Sequence, residues 1–487
     1  MLTSIDKRTF LAGLTCPTMG WYVKQDGTEK ISRGLQWRFH VGNEIAQYAR
    51  QWLGDGRMLA RSPTEIATGK TASALENPAS TLLFEASFSW ERLVARADAL
   101  RHTKNGWELI EIKSGVASGE KSKDISKYLN DIAYTLCVAM GAGLDVTAVT
   151  LVLLSREYRL DEDTPMFTAI DVTKEAVECA LKFQAIATDI AVAATSEEKP
   201  ASSLKFVCKD CEYFDAKCVG VNVPDPLFVL PRLSKEKFDK LHEFECISRL
   251  PPDVEVTDSQ RVVLDAIRSG NPHKDPKGLA LLDQVTYPAY YLDFEAILPH
   301  LPWFATRPPY DPVPFQYSLH TRSAIGDGVE HCDYLAPASG DWRLELIERL
   351  ISDLGTTGSI VVYSSYEKTR LKSLAELFRD FAGQLLLIID RLFDLEKVVK
   401  EGYIHPGFQG RTSIKKVLPI VAPDLSYKSL SVGNGDDAAA TFGLMRVGKI
   451  AVEDHAYERA ALLDYCRMDT LAMVRLHEEL VRVREEC

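Results

Sequence analysis

The apolar positions between Leu93 and Ile112 fall into two runs of different pattern. Leu93 to Ala97 is mostly apolar and reads as a strand, which Asp98 ends. Trp107 to Ile112 alternates and reads as a second strand. His102, Thr103, Lys104, Asn105 and Gly106 form the turn between them. Side chains two apart on a strand share a face, so Glu111 and Lys113 point the same way, and the hairpin brings Asp98 beside them. Elsewhere the period is helical. ISRGLQWRFHVGNEIAQYARQWLGDG reads as a helix stopped by Gly54 and Gly56, and SKYLNDIAYTLCVAMGAG as an amphipathic helix ended by glycine. AVTLVLLS is a buried strand, and Asp171 to Ala194 a long helix. Helix, strands, helix and strand in this order predict a mixed sheet flanked by helices.

A second pattern starts further on. Pro224 to Leu282 is rich in proline and charge, with short helical stretches such as SKEKFDKLHEF and SQRVVLDAIRSG. It reads as a helical connector. YPAYYLDFEAI, FQYSLHT and SIVVYSS then read as strands, DWRLELIERLISDL as a helix, and Ala460 to Glu485 as a long C-terminal helix. The expected organisation is an α/β domain over 1–223, the connector over 224–284, and a second α/β domain over 285–487. A chain of 487 residues is too long for one core, which agrees.

Composition adds little beyond this. No run is apolar and long enough to span a membrane, and the first apolar stretch carries charges, unlike a secretory signal. The expectation is a cytoplasmic protein with no membrane partner. The net charge of −12 does not advertise nucleic-acid binding, although Lys121 to Lys127 and Arg411 to Lys416 are local basic strips. The ten cysteines are expected to be mostly reduced, the scattered ones as buried apolar thiols.

Three motifs carry chemistry. Asp98 and Glu111 can hold a hard divalent cation such as Mg2+ or Mn2+ through oxygen, and Lys113 can position or polarise an attacking water. The same spacing also fits a surface hairpin of alternating charge. Asp293 and Glu295 share a face of the apolar strand YYLDFEAI, where two carboxylates are costly without a cation. Downstream, Tyr465 and Asp469 stand at i and i+4 on one helix face. Glu367 lies just past a strand and is explained equally by a helix first turn, and Asp394 by an N-cap. Third, Cys208, Cys211 and Cys218 fall within KFVCKDCEYFDAKCVG, and Cys16 lies in the turn-like TCPTMGWY. Four such thiolates suit zinc or an iron–sulfur cluster equally on spacing.

One N-terminal cysteine and three clustered ones, bracketing Asp98 and Glu111-Ile-Lys113, resemble the RecB-type iron–sulfur nucleases of the PD-(D/E)xK class. CRISPR-adaptation exonucleases belong to that group. The resemblance implies a restriction-endonuclease-like mixed sheet with Asp98, Glu111 and Lys113 as its active site. It also implies a 4Fe-4S cluster on Cys16, Cys208, Cys211 and Cys218 that ties the ends of the domain together. Glu85 is a further candidate acid. The family's Gln-x3-Tyr stands here as Asn130-x3-Tyr134. Its first-helix histidine, which follows a glycine, is replaced near Gly42 by alanine, with His40 two residues before that glycine. The segments after residue 284 resemble the RNase H-like (DEDD-type) 3′–5′ exonucleases. That likeness implies Asp293, Glu295, Glu367 and Asp469 as metal ligands, Tyr465 as orienting water and Asp394 as a further acid, while Lys415 and Lys416 of GRTSIKKVLP fit either phosphate contacts or a solvated loop. The whole chain is similar to a bacterial family that joins these two domains.

The expected function is therefore metal-dependent hydrolysis of nucleic acid, DNA in preference to RNA, in repair or in defence against mobile elements. Two alternatives stay open. One domain cleaves while the other binds nucleic acid, or the chain is a redox-responsive scaffold with degenerate acids.

Overall fold

A computed structural model describes residues 4–27, 31–59, 64–76 and 81–487, which include every candidate residue named above. The chain is mixed α/β with two principal sheets. The first has six strands in sequence order: β1 (Arg57–Met58), β2 (Leu82–Trp90), β3 (Leu93–Thr103), β4 (Gly106–Val116), β5 (Val146–Leu154) and β6 (Phe167–Asp171). The predicted hairpin is β3–β4, but β3 runs on past Asp98 to Thr103. Asp98 is therefore in mid-strand rather than at a strand end. β4 and β5 are parallel, which requires a crossover, and the helix Lys121–Gly141 supplies it.

Each face of this sheet meets a different set of helices. Phe10 of Lys7–Thr15, Tyr134 of the crossover helix and Phe183 of Thr173–Thr195 pack with Leu100, Leu109 and Val149 on one side. Val41, Ile45 and Ala49 of the helix Arg33–Leu53 pack with Ile110, Ile112 and Val152 on the other. That helix begins where the Ser32 hydroxyl accepts from the Leu35 N–H and ends at Gly54, whose φ of 104° favours glycine.

The connector contains the helices Lys235–Leu241 and Asp258–Ser269, a short strand, β7 (His273–Lys274), and the short helix Pro276–Leu279. Its apolar residues Leu227, Phe238 and Leu264 share a core with Leu204, Cys208 and Phe214. The cysteine segment thus packs against the connector as well as the first domain.

The second sheet comprises β8 (Ala289–Ile297), β9 (Val313–Arg322), β10 (Glu330–Leu335), β11 (Ile360–Val362) and β12 (Leu392–Asp394), in the order β10-β9-β8-β11-β12. β8 is antiparallel to β9 and parallel to β11. A last strand, β13 (Tyr403–Ile404), pairs with β7. β8 is covered on both faces. Leu292 and Phe294 enter one core, while Ala289 and Tyr291 enter another with Met473 and Leu476 of the helix His455–Glu485. Two-sided burial explains why this strand reads as a nearly continuous apolar run.

The two α/β units touch through Arg33–Leu53, where Arg33 pairs with Glu458 and the Gly34 N–H donates to Asp437 at 2.9 Å, and through β4, where the Tyr310 hydroxyl donates to the Ser114 carbonyl at 2.9 Å. Among the described residues no helix is long and apolar enough to cross a membrane.

Candidate functional site

β8 holds Asp293 and Glu295 on its central path, and the C-terminal helix crosses it. Asp469, one turn beyond Tyr465, is thereby carried onto the same spot. Carboxylate oxygens of Asp293, Glu295 and Asp469 all lie within 4.8 Å of one another. Glu367 enters from the first turn of the helix Tyr366–Leu377, buried, with Oε2 lacking a hydrogen-bond partner. Glu295 and Asp469 are buried as well, and Asp293 half-buried.

Crowding these acids together perturbs all of them. Burial first, then Asp469, Glu295 and Glu367, hold Asp293 well above the usual carboxylate range. Burial and Asp469 push Glu295 up to about 8, with Lys415 opposing. Burial pushes Glu367 up to about 7, and Asp394 adds to it. Asp469 is also raised by burial, moderated by Tyr427, Lys415 and Tyr465. Without a cation the cluster is short of positive charge, the condition under which carboxylates keep their protons.

The surrounding residues sort themselves by contact. Lys415 reaches inward, donating to the Tyr465 hydroxyl at 2.8 Å and the Gly433 carbonyl at 3.2 Å. Asp394 is the N-cap that its position suggested. Its Oδ1 accepts from Glu396 N and also from Ser364 N, at 3.0 and 3.1 Å, so it is tied to backbone. Sequence reasoning missed Tyr427, whose hydroxyl donates to Asp469 Oδ1 at 2.6 Å. It lies in the irregular stretch DLSYKSL, where no period marks it. Cys466, expected as an apolar thiol, lies 3.6 Å from Asp293 Oδ2.

In the first domain Asp98, Glu111 and Lys113 do come together. The β3–β4 pairing stops at Ala99 opposite Ile110. Beyond it the Asp98 side chain fills the gap and accepts from Ile112 N at 2.7 Å. Glu111 is buried, with Oε1 2.8 Å from Lys7 and 3.0 Å from Lys113, and Oε2 without a hydrogen-bond partner. Lys113 also pairs with Asp131. Burial and the Glu111 charge push Asp98 up to about 7. Burial also acts to raise Glu111, but the Lys7 and Lys113 ammonium groups outweigh it and hold Glu111 below the usual range.

Lys7 and Asp131 were not foreseen. Lys7 is 104 residues from Glu111, and no local pattern connects them. Asn130 and Tyr134 lie off this cluster. Asn130 is exposed and accepts from the Cys179 thiol, while the buried Tyr134 hydroxyl donates to the Val94 carbonyl. The helix turns Asp131 inward in their place. Glu85 has a positive φ of 62° opposite Asp98, where the β2–β3 register skips, and it pairs with Arg50 and Arg96.

Cys16 sits at the break between the helices Lys7–Thr15 and Pro17–Asp26. It lines one small cavity together with Cys208, Cys211 and Cys218. All four are free thiols. Burial raises Cys208 and Cys211, and the neighbouring cysteines add to it. Tyr22 stacks on Tyr213 beside them, with ring centroids 4.9 Å apart.

The fold and these clusters define a mixed α/β protein with two buried carboxylate centres and a four-cysteine pocket. A family described as a domain of unknown function (DUF2779) matches residues 290–413, a span that holds Asp293, Glu295, Glu367 and Asp394. No curated protein and no solved structure matches the chain.

Proposed function

We propose that this protein is a divalent-metal-dependent nuclease whose main catalytic centre is Asp293, Glu295, Glu367 and Asp469. One observation carries the reading: three of these acids converge from two separate elements to within 4.8 Å, in a buried place beside Lys415. Such a set fits Mg2+ or Mn2+, which favour carboxylate oxygen. Held by these four carboxylates, such ions would stabilise the attacking and the leaving oxygen of a phosphodiester. The chain's own residues do the rest. Tyr427 and Tyr465 hold Asp469 in place and in charge, and Lys415 orients Tyr465 toward the attacking water. The cleavage is 3′ to 5′ and exonucleolytic, in keeping with the RNase H-like resemblance, and DNA is the preferred substrate.

In the same reading the first domain is a PD-(D/E)xK nuclease fold stapled by the four cysteines. Their convergence on one pocket fits a 4Fe-4S cluster, which would join the chain's first helices to the segment near residue 210. A specific observation favours the version in which this domain mainly binds nucleic acid: Lys7 and Lys113 already neutralise Glu111, so a cation there must compete with two ammonium groups.

The test is cleavage of labelled single- and double-stranded DNA and RNA with Mg2+ or Mn2+, by wild type, Asp293→Ala and Asp98→Ala. Asp293→Ala should abolish cleavage. Blocking the substrate 3′ end should stop the wild type. Unchanged Asp293-dependent cleavage of the blocked substrate overturns the exonuclease reading, and unchanged cleavage by Asp293→Ala overturns the assignment of the site.

A further inference from the structure

A further cluster of ligating side chains is distinct from both carboxylate centres and from the four cysteines. His40 and Glu44 stand at i and i+4 on the helix Arg33–Leu53, and His300 comes from the segment leaving β8. One ligand atom from each lies within 4.8 Å of the other two. Glu44 Oε2 is 2.7 Å from His300 Nε2 and 3.3 Å from His40 Nε2. This helix covers the sheet face bearing Ile110 and Ile112, while Glu111 meets Lys7 on the other face. His40 is therefore no part of the Asp98–Glu111 cluster.

We infer that His40, Glu44 and His300 bind a transition-metal ion of the Zn2+ class that pins the first domain to the second. The donor set selects such an ion. Two imidazole nitrogens and one carboxylate suit zinc and its neighbours, whereas Mg2+ prefers an all-oxygen set. The site is also built. His300 is only 2 % exposed. His40 Nε2 is buried yet makes no well-formed hydrogen bond, although Glu44 lies beside it. Trp37 stands against both rings, at 5.3 and 5.7 Å between centroids. Lys449 is the cation facing the cluster, and its charge works against an incoming ion. The Glu44 carboxylate offsets it. Because the ligands come from both α/β units, the ion would act beside the Arg33–Glu458 and Gly34–Asp437 contacts as a clasp.

The experiment counts bound zinc on the full chain. Protein stripped of loosely held metal is kept in excess Mg2+ to fill the carboxylate centres, then dialysed against Zn2+ and analysed for metal by mass spectrometry. Wild type is compared with His40→Ala, His300→Ala and, as a control, the exposed His242→Ala. The two site variants should each bind one fewer zinc ion per chain, and His242→Ala should match wild type. Zinc should also protect the wild type, and not His40→Ala, from limited proteolysis between the two α/β units. Equal zinc content in wild type and folded His40→Ala, judged by circular dichroism, overturns the inference. His40, less deeply buried than His300, keeps the test valid should His300→Ala fail to fold.

Discussion

Replacing Glu295 by glutamine should make the metal-free protein more stable while destroying its proposed chemistry. Burial beside Asp469 raises this carboxyl from 4.5 to about 8. At pH 7 the unfolded chain has lost that proton while the metal-free fold keeps it. The folded state then binds more protons than the unfolded one, so stability falls as pH rises from the unfolded pKa toward the folded one. Each pH unit in that window removes about 1.4 kcal/mol, so by pH 7 the loss is roughly 3 kcal/mol. Glutamine carries no titrating proton and escapes the loss. For a unit of this size, about 1 kcal/mol moves the melting temperature by roughly 2–4 °C, so the gain is roughly 6–12 °C. The assay is calorimetric melting of chelator-stripped Glu295→Gln and wild type at pH 7.5 and pH 4.5. The variant's C-terminal transition should lie higher at pH 7.5 and converge with wild type at pH 4.5. Mn2+ should then raise wild type more than the variant, because only wild type offers the full carboxylate set. A variant that melts lower than wild type without metal at pH 7.5, or a gain of equal size at both pH values, refutes the electrostatic reasoning.

Three further outcomes follow from named contacts. Tyr427→Phe removes a 2.6 Å hydrogen bond that lowers the Asp469 pKa, so Mn2+ affinity at pH 7, read by calorimetric titration, should fall about tenfold, as expected for a hydrogen bond to a charged group; unchanged affinity would show that Asp469 is not a ligand. In an Asp293→Ala background, which silences the main centre, Lys7→Ala should tighten Mn2+ binding, read by calorimetric titration, by removing a competing ammonium from Glu111; weaker Mn2+ binding in Lys7→Ala contradicts this. Cys208→Ser should lose iron and melt earlier because metal binding contributes to folding, while Cys332→Ser, on β10, should do neither; equal iron in both, or a colourless wild type holding zinc, removes the 4Fe-4S assignment.

What the chain reveals on its own is whatever local period encodes. The alternation around Glu111, the apolar run around Asp293 and the i, i+4 spacing of Tyr465 and Asp469 each place side chains on a known face, because strand and helix geometry repeat every 2 and 3.6 residues. The β3–β4 hairpin, β8 and the long terminal helix were legible for that reason, and so were the acids on them. Even there the register was not. The pairing of β3 and β4 stops at Ala99, which is what turns Asp98 toward Ile112. Packing alone decided the partners. Lys7 reaches Glu111 across 104 residues, Tyr427 reaches Asp469 across 42, and His300 reaches Glu44 across 256. None of these pairs shares an element, so no periodicity links them. They meet because apolar faces elsewhere bury against one another and carry their polar side chains along. The clearest case is the helix Arg33–Leu53. Its apolar face packs on the first sheet, and its polar residues His40 and Glu44 meet His300 of the second α/β unit, which no spacing along the chain foretells.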